Sequence, residues 1–141
     1  MKALLFIFLL LFTGFWLSAY ASLPNTDLMH FVHRTVRFGA SNVTHFNWDA
    51  VAVARILIDK QGSCGHQSAV LAYLLALKGQ KTAIVDLMTC GEKGELVSCG
   101  HTIVYAEGAF YDATNDKVYY DTAFFNHSWE KWIGRDKIGV I

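Results

Sequence analysis

The segment Ala69-Val70-Leu71-Ala72-Tyr73-Leu74-Leu75-Ala76-Leu77 is apolar at every position. A helix built from it has no face that meets water cheaply, so the rest of the chain must surround it. Lys78-Gly79 closes it with a cation in the last turn and a glycine at the C-terminal end. Upstream, Gln61-Gly62-Ser63 breaks any earlier helix, and the spacing predicts a buried helix from Cys64 to Leu77. A chain of 141 residues supports one domain, and that domain is organised around this helix.

The remaining elements follow from local signals. Pro24, the only proline, marks the start of the folded domain. Asn25 or Thr26 is placed to cap a helix over residues 27–38, with Leu28, Phe31, Val32 and Thr35 on one face. Asn47 is placed to cap a second helix through Asp59, where Trp48, Val51, Ala52, Arg55, Ile56 and Leu57 recur at helical spacing. Strands are predicted at Thr82–Met88, Leu96–Tyr105 and Ala109–Asp112, with a fourth at Lys117–Tyr120. Glu107-Gly108 is a tight turn between two of them. The tail, Phe124 to Ile141, is assigned no element. Helices first and a run of strands after predict an α+β domain with N-terminal helices and a Cys-bearing helix packed on an antiparallel sheet.

Composition narrows the functional classes. Formal net charge is zero, and no run of Lys or Arg is present, which argues against nucleic acid as a partner. The first residues read as a targeting segment: Lys2 is the positive region, Ala3 to Phe12 is continuously apolar, and Ala19-Tyr20-Ala21 fits a small-x-small cleavage site. Residues 1–21 are therefore a signal peptide cut after Ala21, or else an N-terminal membrane anchor left in place, and residues 22–141 are the domain. Either way Lys2 stays on the inner side, and the domain is exported to the periplasm or the extracellular space.

Three cysteines in an exported chain suggest one pair and one free thiol. Lys93-Gly94-Glu95-Leu96 reads as a hairpin with Gly94 at the first central position. In that register Cys90 faces Cys99 as a non-hydrogen-bonded pair, close enough for a disulfide. Cys64 is then the free thiol. Three reduced thiols are the alternative.

Cys64 stands where a helix begins, and unsatisfied backbone N–H groups and the helix dipole both favour a thiolate there. The same N–H groups, Cys64's own included, can hold an oxyanion, and Gln61 is a further donor to consider. The flanking Gly62 and Gly65 leave room for a substrate backbone. His101 precedes the alternating Thr102-Ile103-Val104-Tyr105 and is the base to match the thiol. Asp112, at the end of the neighbouring strand, is placed to orient that imidazole. Asn115 and Asp116 are fallbacks for the same role.

With these residues in view, the chain resembles the transglutaminase-like superfamily of papain-like Cys-His-Asp thiol enzymes. The resemblance rests on Gly62-Ser63-Cys64 opening a buried helix, Gly100-His101-Thr102-Ile103-Val104 on a strand, and Tyr111-Asp112-Ala113-Thr114. It covers roughly residues 26–122. Ala113 stands where the family has proline, and the aromatic residue lies directly beside Asp112. The resemblance implies Cys64 as nucleophile, His101 as base and Asp112 as orienter. It further implies a hydrolase or acyltransferase acting on a peptide or other amide-containing substrate, with no metal or organic cofactor. The alternative is a non-catalytic exported binding domain that keeps the fold.

Other readings compete for the same residues. Cys64-Gly65-His66 and Cys99-Gly100-His101 repeat one tripeptide, a donor set for zinc whose one-residue spacing is unusual. Trp48, Phe110, Tyr111, Trp129 and Trp132 are core residues or the lining of a groove. His30, His33 and His45 read as solvated side chains. Substrate identity and oligomeric state are not encoded in any motif present.

Overall fold

The computed structural model describes residues 19–43, 49–90, 96–120 and 138–140, with the side chains of 87–90, 96–100 and 138–140 outside that description. Residues 19–22 are helical, and the elements that follow are α1 (Asn25–Thr35), β1 (Arg37–Phe38), α2 (Ala50–Asp59), β2 (Gln61–Gly62), α3 (Cys64–Leu77), β3 (Thr82–Cys90), β4 (Leu96–Ala106), β5 (Ala109–Asp112), β6 (Lys117–Tyr119) and β7 (Ile138–Val140). The predicted α+β class holds. Helices come first, and an antiparallel sheet follows in the order β6-β5-β4-β3-β7.

The apolar helix sits at the centre. α3 touches α1, α2, β3 and β4, and Ala69, Val70, Leu71, Ala72 and Leu75 have no exposed surface. Each such buried leucine contributes about 1.5–3 kcal/mol relative to an exposed one. Around it, Leu28, Met29 and Val32 of α1, Val53 and Ile56 of α2, and Ile84, Val104 and Tyr111 of the sheet complete one core.

Several local expectations change. α1 begins one residue after Pro24, and Asn25 does not cap it. Its amide instead bridges elements, donating to Gln80 Oε1 (2.8 Å) and accepting from Lys78 Nζ (2.9 Å). The helix stops at Thr35 because Val36 turns to extended geometry and Arg37–Phe38 pairs in parallel with Gln61–Gly62. Phe31, expected on the buried face, is 47 % exposed, and Met29 takes that place. The cap of α2 is Asp49, whose carboxylate accepts the Ala52 N–H at 2.8 Å. Asn47 and Trp48, like His45, Trp129 and Trp132, lie outside the described residues.

The β3–β4 hairpin differs in register. Cys90 stands opposite Leu96, not Cys99, and the strands slip where Leu87 faces His101 but Met88 faces Ser98. Cys99 and Gly100 therefore form a bulge with no partner across the ladder. The register offered for a Cys90–Cys99 disulfide does not occur, because the bulge takes up residues that a regular two-residue hairpin would have paired. Past Glu107 and Gly108, both at positive φ as the tight turn requires, β5 pairs with β4.

The apolar N-terminal segment lies mostly outside the described residues, and no helix among those described is long and apolar enough to cross a membrane. Residues beside the expected cleavage site do touch the domain. The Tyr20 hydroxyl donates to the Leu74 carbonyl at 2.5 Å, and the Lys78 ammonium to the Leu23 carbonyl.

One glycine is required by packing at the mouth of α3. A Cβ on Gly62 would lie 2.5 Å from the Cβ of His66, a buried side chain with no slack. Gly62→Ala is expected to destabilise the domain by about 1–3 kcal/mol, read as a lowered melting temperature, whereas Gly39→Ala, which meets only the end of the Gln61 side chain, costs much less.

Candidate active site

The first turn of α3 is built before any chemistry is considered. Ser63 is the N-cap residue in extended geometry, and its backbone N–H donates to His66 Nδ1 at 3.1 Å. The Ser63 hydroxyl lies 2.8 Å from the same nitrogen. The other ring nitrogen, Nε2, donates to the Val43 carbonyl at 2.7 Å. His66 thus ties the loop before α2 to the mouth of α3. Both its nitrogens are committed to protein partners, which leaves neither for a zinc ion.

This turn places Cys64 against β4. The Ser68 hydroxyl, one turn along, donates to the Thr102 carbonyl at 2.9 Å and locks α3 to the strand beside His101. The bulge at Cys99 and Gly100 immediately precedes His101 and sets which way that strand presents it. The Cys64 thiol and the His101 imidazole lie close enough that each shifts the titration of the other. Cys64 is 8 % exposed, and the His101 side chain is 23 % exposed.

Asp112 completes the arrangement. Registered pairing of β4 with β5 runs from Ala106 opposite Ala109 to Val104 opposite Tyr111. Asp112 then leads into a turn, and its Oδ2 lies 2.8 Å from His101 Nε2. Nε2 is therefore the donor to the carboxylate, and Nδ1 is the nitrogen left for the sulfur. The carboxylate is 3 % exposed, and its oxygens are satisfied. Oδ1 accepts the backbone N–H groups of Thr114 and Asn115, each at 3.1 Å, and Oδ2 also accepts Asn115 Nδ2 at 2.8 Å.

The electrostatics follow from this geometry. His101 is raised to about 9, first by its hydrogen bond to Asp112 and then by that to Cys64, against the opposing effect of burial. The Cys64 thiol is held below its ordinary value, chiefly by the hydrogen bond from His101, which outweighs burial, with the Thr102 backbone N–H adding to it. For Asp112 burial is the largest single influence and pushes the pKa up. The bonds from His101 and from the side chain and backbone of Asn115 together win, and the carboxyl stays below its usual range. The combined result is a thiol biased toward its thiolate form, facing an imidazole biased toward its charged form and backed by a carboxylate.

The other named residues fall as follows. Asn115 does not replace Asp112 but steadies it, and its Nδ2 is 3.5 Å from His101 Nε2. Asp116 pairs with His30 Nδ1 at 2.5 Å, and His33 Nδ1 donates to the Ala113 carbonyl at 2.9 Å. The two histidines expected to be solvated are thus partnered, both on the turn after β5. Gln61 is exposed; its amide lies against Gly39, and it lines a surface hollow of about 540 Å³ with Arg34, Thr35, Arg37, Asp59 and Lys60, none of them a triad residue. That position does not suit an oxyanion donor at Cys64. Tyr111 is core, 6 % exposed, and Phe110 packs on Tyr105 with ring centroids 4.9 Å apart, so neither is free to line a groove. Residues the motifs passed over are Ser68 and Gln67, polar side chains in an otherwise apolar helix; that anomaly was the signal available for them.

His101 gives a stability signature. Its folded-state pKa is raised from 6.5 to about 9, so the charged ring stabilises the fold fully below pH 6.5, and that contribution is lost as pH rises through about 9. Asp112 acts in the opposite direction, and its contribution is lost as pH falls through its lowered folded value. Melting temperature should therefore fall more steeply between pH 6.5 and about 9 in the wild-type protein than in His101→Gln.

No protein-family model and no curated protein matches the chain, which leaves the geometry of Cys64, His101 and Asp112 as the ground for assigning its chemistry.

Proposed function

We propose that the protein is a thiol-dependent hydrolase or acyltransferase that acts on peptide or other amide bonds, built on a transglutaminase-like core and exported behind its N-terminal apolar segment. The observation that carries this reading is the placement of the His101 imidazole, 2.8 Å from the Asp112 carboxylate on one side and near enough to the Cys64 thiol on the other to lower its pKa. A merely structural free cysteine needs neither partner.

In the proposed reaction the Cys64 thiolate attacks the carbonyl carbon of an amide, and the carbonyl π pair moves to oxygen. First-turn amides of a helix lack intrahelical acceptors, and those of α3 are placed to hold that oxyanion. As the carbon–nitrogen bond breaks, the imidazolium of His101 passes its proton to the leaving amine, giving a thioester. Neutral His101 then takes a proton from water, hydroxide character attacks the thioester, and the thiolate leaves with the acid product released. With an amine in place of water the product is a new amide. Hydrolysis is the first choice and acyl transfer the second, the two sharing every step up to the acceptor. Asp112 keeps the ring in the orientation both steps need.

The 8 % exposure of Cys64 favours a second reading, a non-catalytic exported binding domain with this fold. Reactivity separates the two. Under the enzymatic reading, iodoacetamide labels Cys64 at neutral pH at least about tenfold faster than it labels free cysteine. Cys64→Ala would then abolish amide turnover with little change in melting temperature. Labelling at Cys64 no faster than that of free cysteine would support the binding domain.

A further inference from the structure

A single buried amide spans the gap between α3 and the turn that follows β5. Gln67 is 2 % exposed and lies three residues after Cys64, on the same side of the helix. Both ends of its side chain are committed. Nε2 donates to the Val36 carbonyl, where α1 ends, at 2.6 Å. Oε1 accepts the Thr114 hydroxyl, also at 2.6 Å. Thr114 in turn gives its backbone N–H to Asp112 Oδ1 at 3.1 Å. An unbroken path of hydrogen bonds therefore runs from the helix that carries the sulfur to the carboxylate that holds the imidazole.

Hydrophobic packing alone does not account for Gln67. An apolar residue of similar volume would fill the site at no polar cost, since a buried amide is tolerated only when its donor and acceptor are both met. Here the two partners come from the end of α1 and from the Asp112 turn. α1 also grips this turn directly, through His33 on the Ala113 carbonyl and His30 on Asp116. Those contacts fix the turn against α1. Gln67 is the described side chain on the cysteine-bearing helix that is hydrogen-bonded to the turn.

We propose that Gln67 and Thr114 are a positioning pair for the Cys64–His101–Asp112 triad, a claim that rests on the reading of that triad given above. The planar amide sets the separation of α3 from the Asp112 turn. Asp112 Oδ1 is held by the turn, so Oδ2 meets His101 Nε2 at bonding distance only while the turn keeps its place. A drift of about 1 Å would weaken that bond and with it the pairing of imidazolium with thiolate.

The test needs no substrate. Iodoacetamide labelling of Cys64, with the labelled position mapped by mass spectrometry, is followed from about pH 5 to pH 9, since the rate reports the thiolate fraction. Thr114→Val, which keeps shape and removes the hydroxyl, is expected to raise the apparent thiol pKa by about one unit and slow labelling on the acid side about tenfold. Thr114→Ser restores the hydroxyl and is expected to restore the wild-type profile, which simple loss of packing at this position would not predict. If Thr114→Val does not fold by circular dichroism, Thr114→Ala takes its place under the same criterion. A profile that superimposes on wild type in the valine or alanine variant, while Asp112→Asn shifts it, overturns the positioning role and leaves the triad standing. A profile unmoved by Asp112→Asn as well overturns both.

Discussion

The N-terminal turn of α3 lies against β4, and every feature of the site depends on that contact. On the helix side it presents Cys64 and Ser68; on the strand side, His101 and Thr102. Ser68 closes it with a bond to the Thr102 carbonyl at 2.9 Å, and the sulfur and imidazole meet within it. The contact exists because the body of α3 is apolar all round and must be enclosed, which brings its polar first turn against β4 at the edge of the core. Burial of hydrocarbon thus supplies the force, and the site occupies the place where hydrocarbon gives out.

Charge is distributed across the contact in a definite order. The Asp112 carboxylate is nearly inaccessible but receives four hydrogen bonds, from His101, the Asn115 side chain and the amides of Thr114 and Asn115. A carboxylate so fully satisfied keeps its charge despite burial. It raises His101, and His101 lowers Cys64. Remove the first member and the third loses its reason to ionise. The turn of residues 112–116 is therefore as much a part of the site as the three proposed triad side chains, and it is secured by His33 at Ala113, Gln67 at Thr114 and His30 at Asp116.

Much of this was legible in the chain. The helix Cys64–Leu77 has the bounds its apolar run implies, because Ser63 and Lys78-Gly79 are strong end signals. Strand β5 and the turn at Glu107-Gly108 follow from alternation and turn chemistry. Cys64, His101 and Asp112 were named, and the structure brings them near one another. What stayed hidden was tertiary. No periodicity announces the Cys99–Gly100 bulge, so the hairpin register and the cysteine pairing drawn from it were misread. Asn25 and Asn47 resemble caps, yet one was recruited as a bridge to Lys78 and Gln80, while Asp49 supplied the cap of α2. His30 and His33 have no partner within reach along the chain, since both bond to residues some eighty positions away. Gln61 is a candidate oxyanion donor by its nearness in sequence, but in extended geometry its side chain lines a surface hollow that none of Cys64, His101 and Asp112 shares.

The central claim is that sulfur, imidazole and carboxylate act as one coupled unit, and the ring of His101 reports it most directly. Titration of its imidazole nitrogens by NMR in the wild-type protein should give a midpoint of about 9, moving down toward the ordinary histidine range in Cys64→Ala and further in Asp112→Asn. A wild-type midpoint near 6.5 that neither substitution alters would contradict the account.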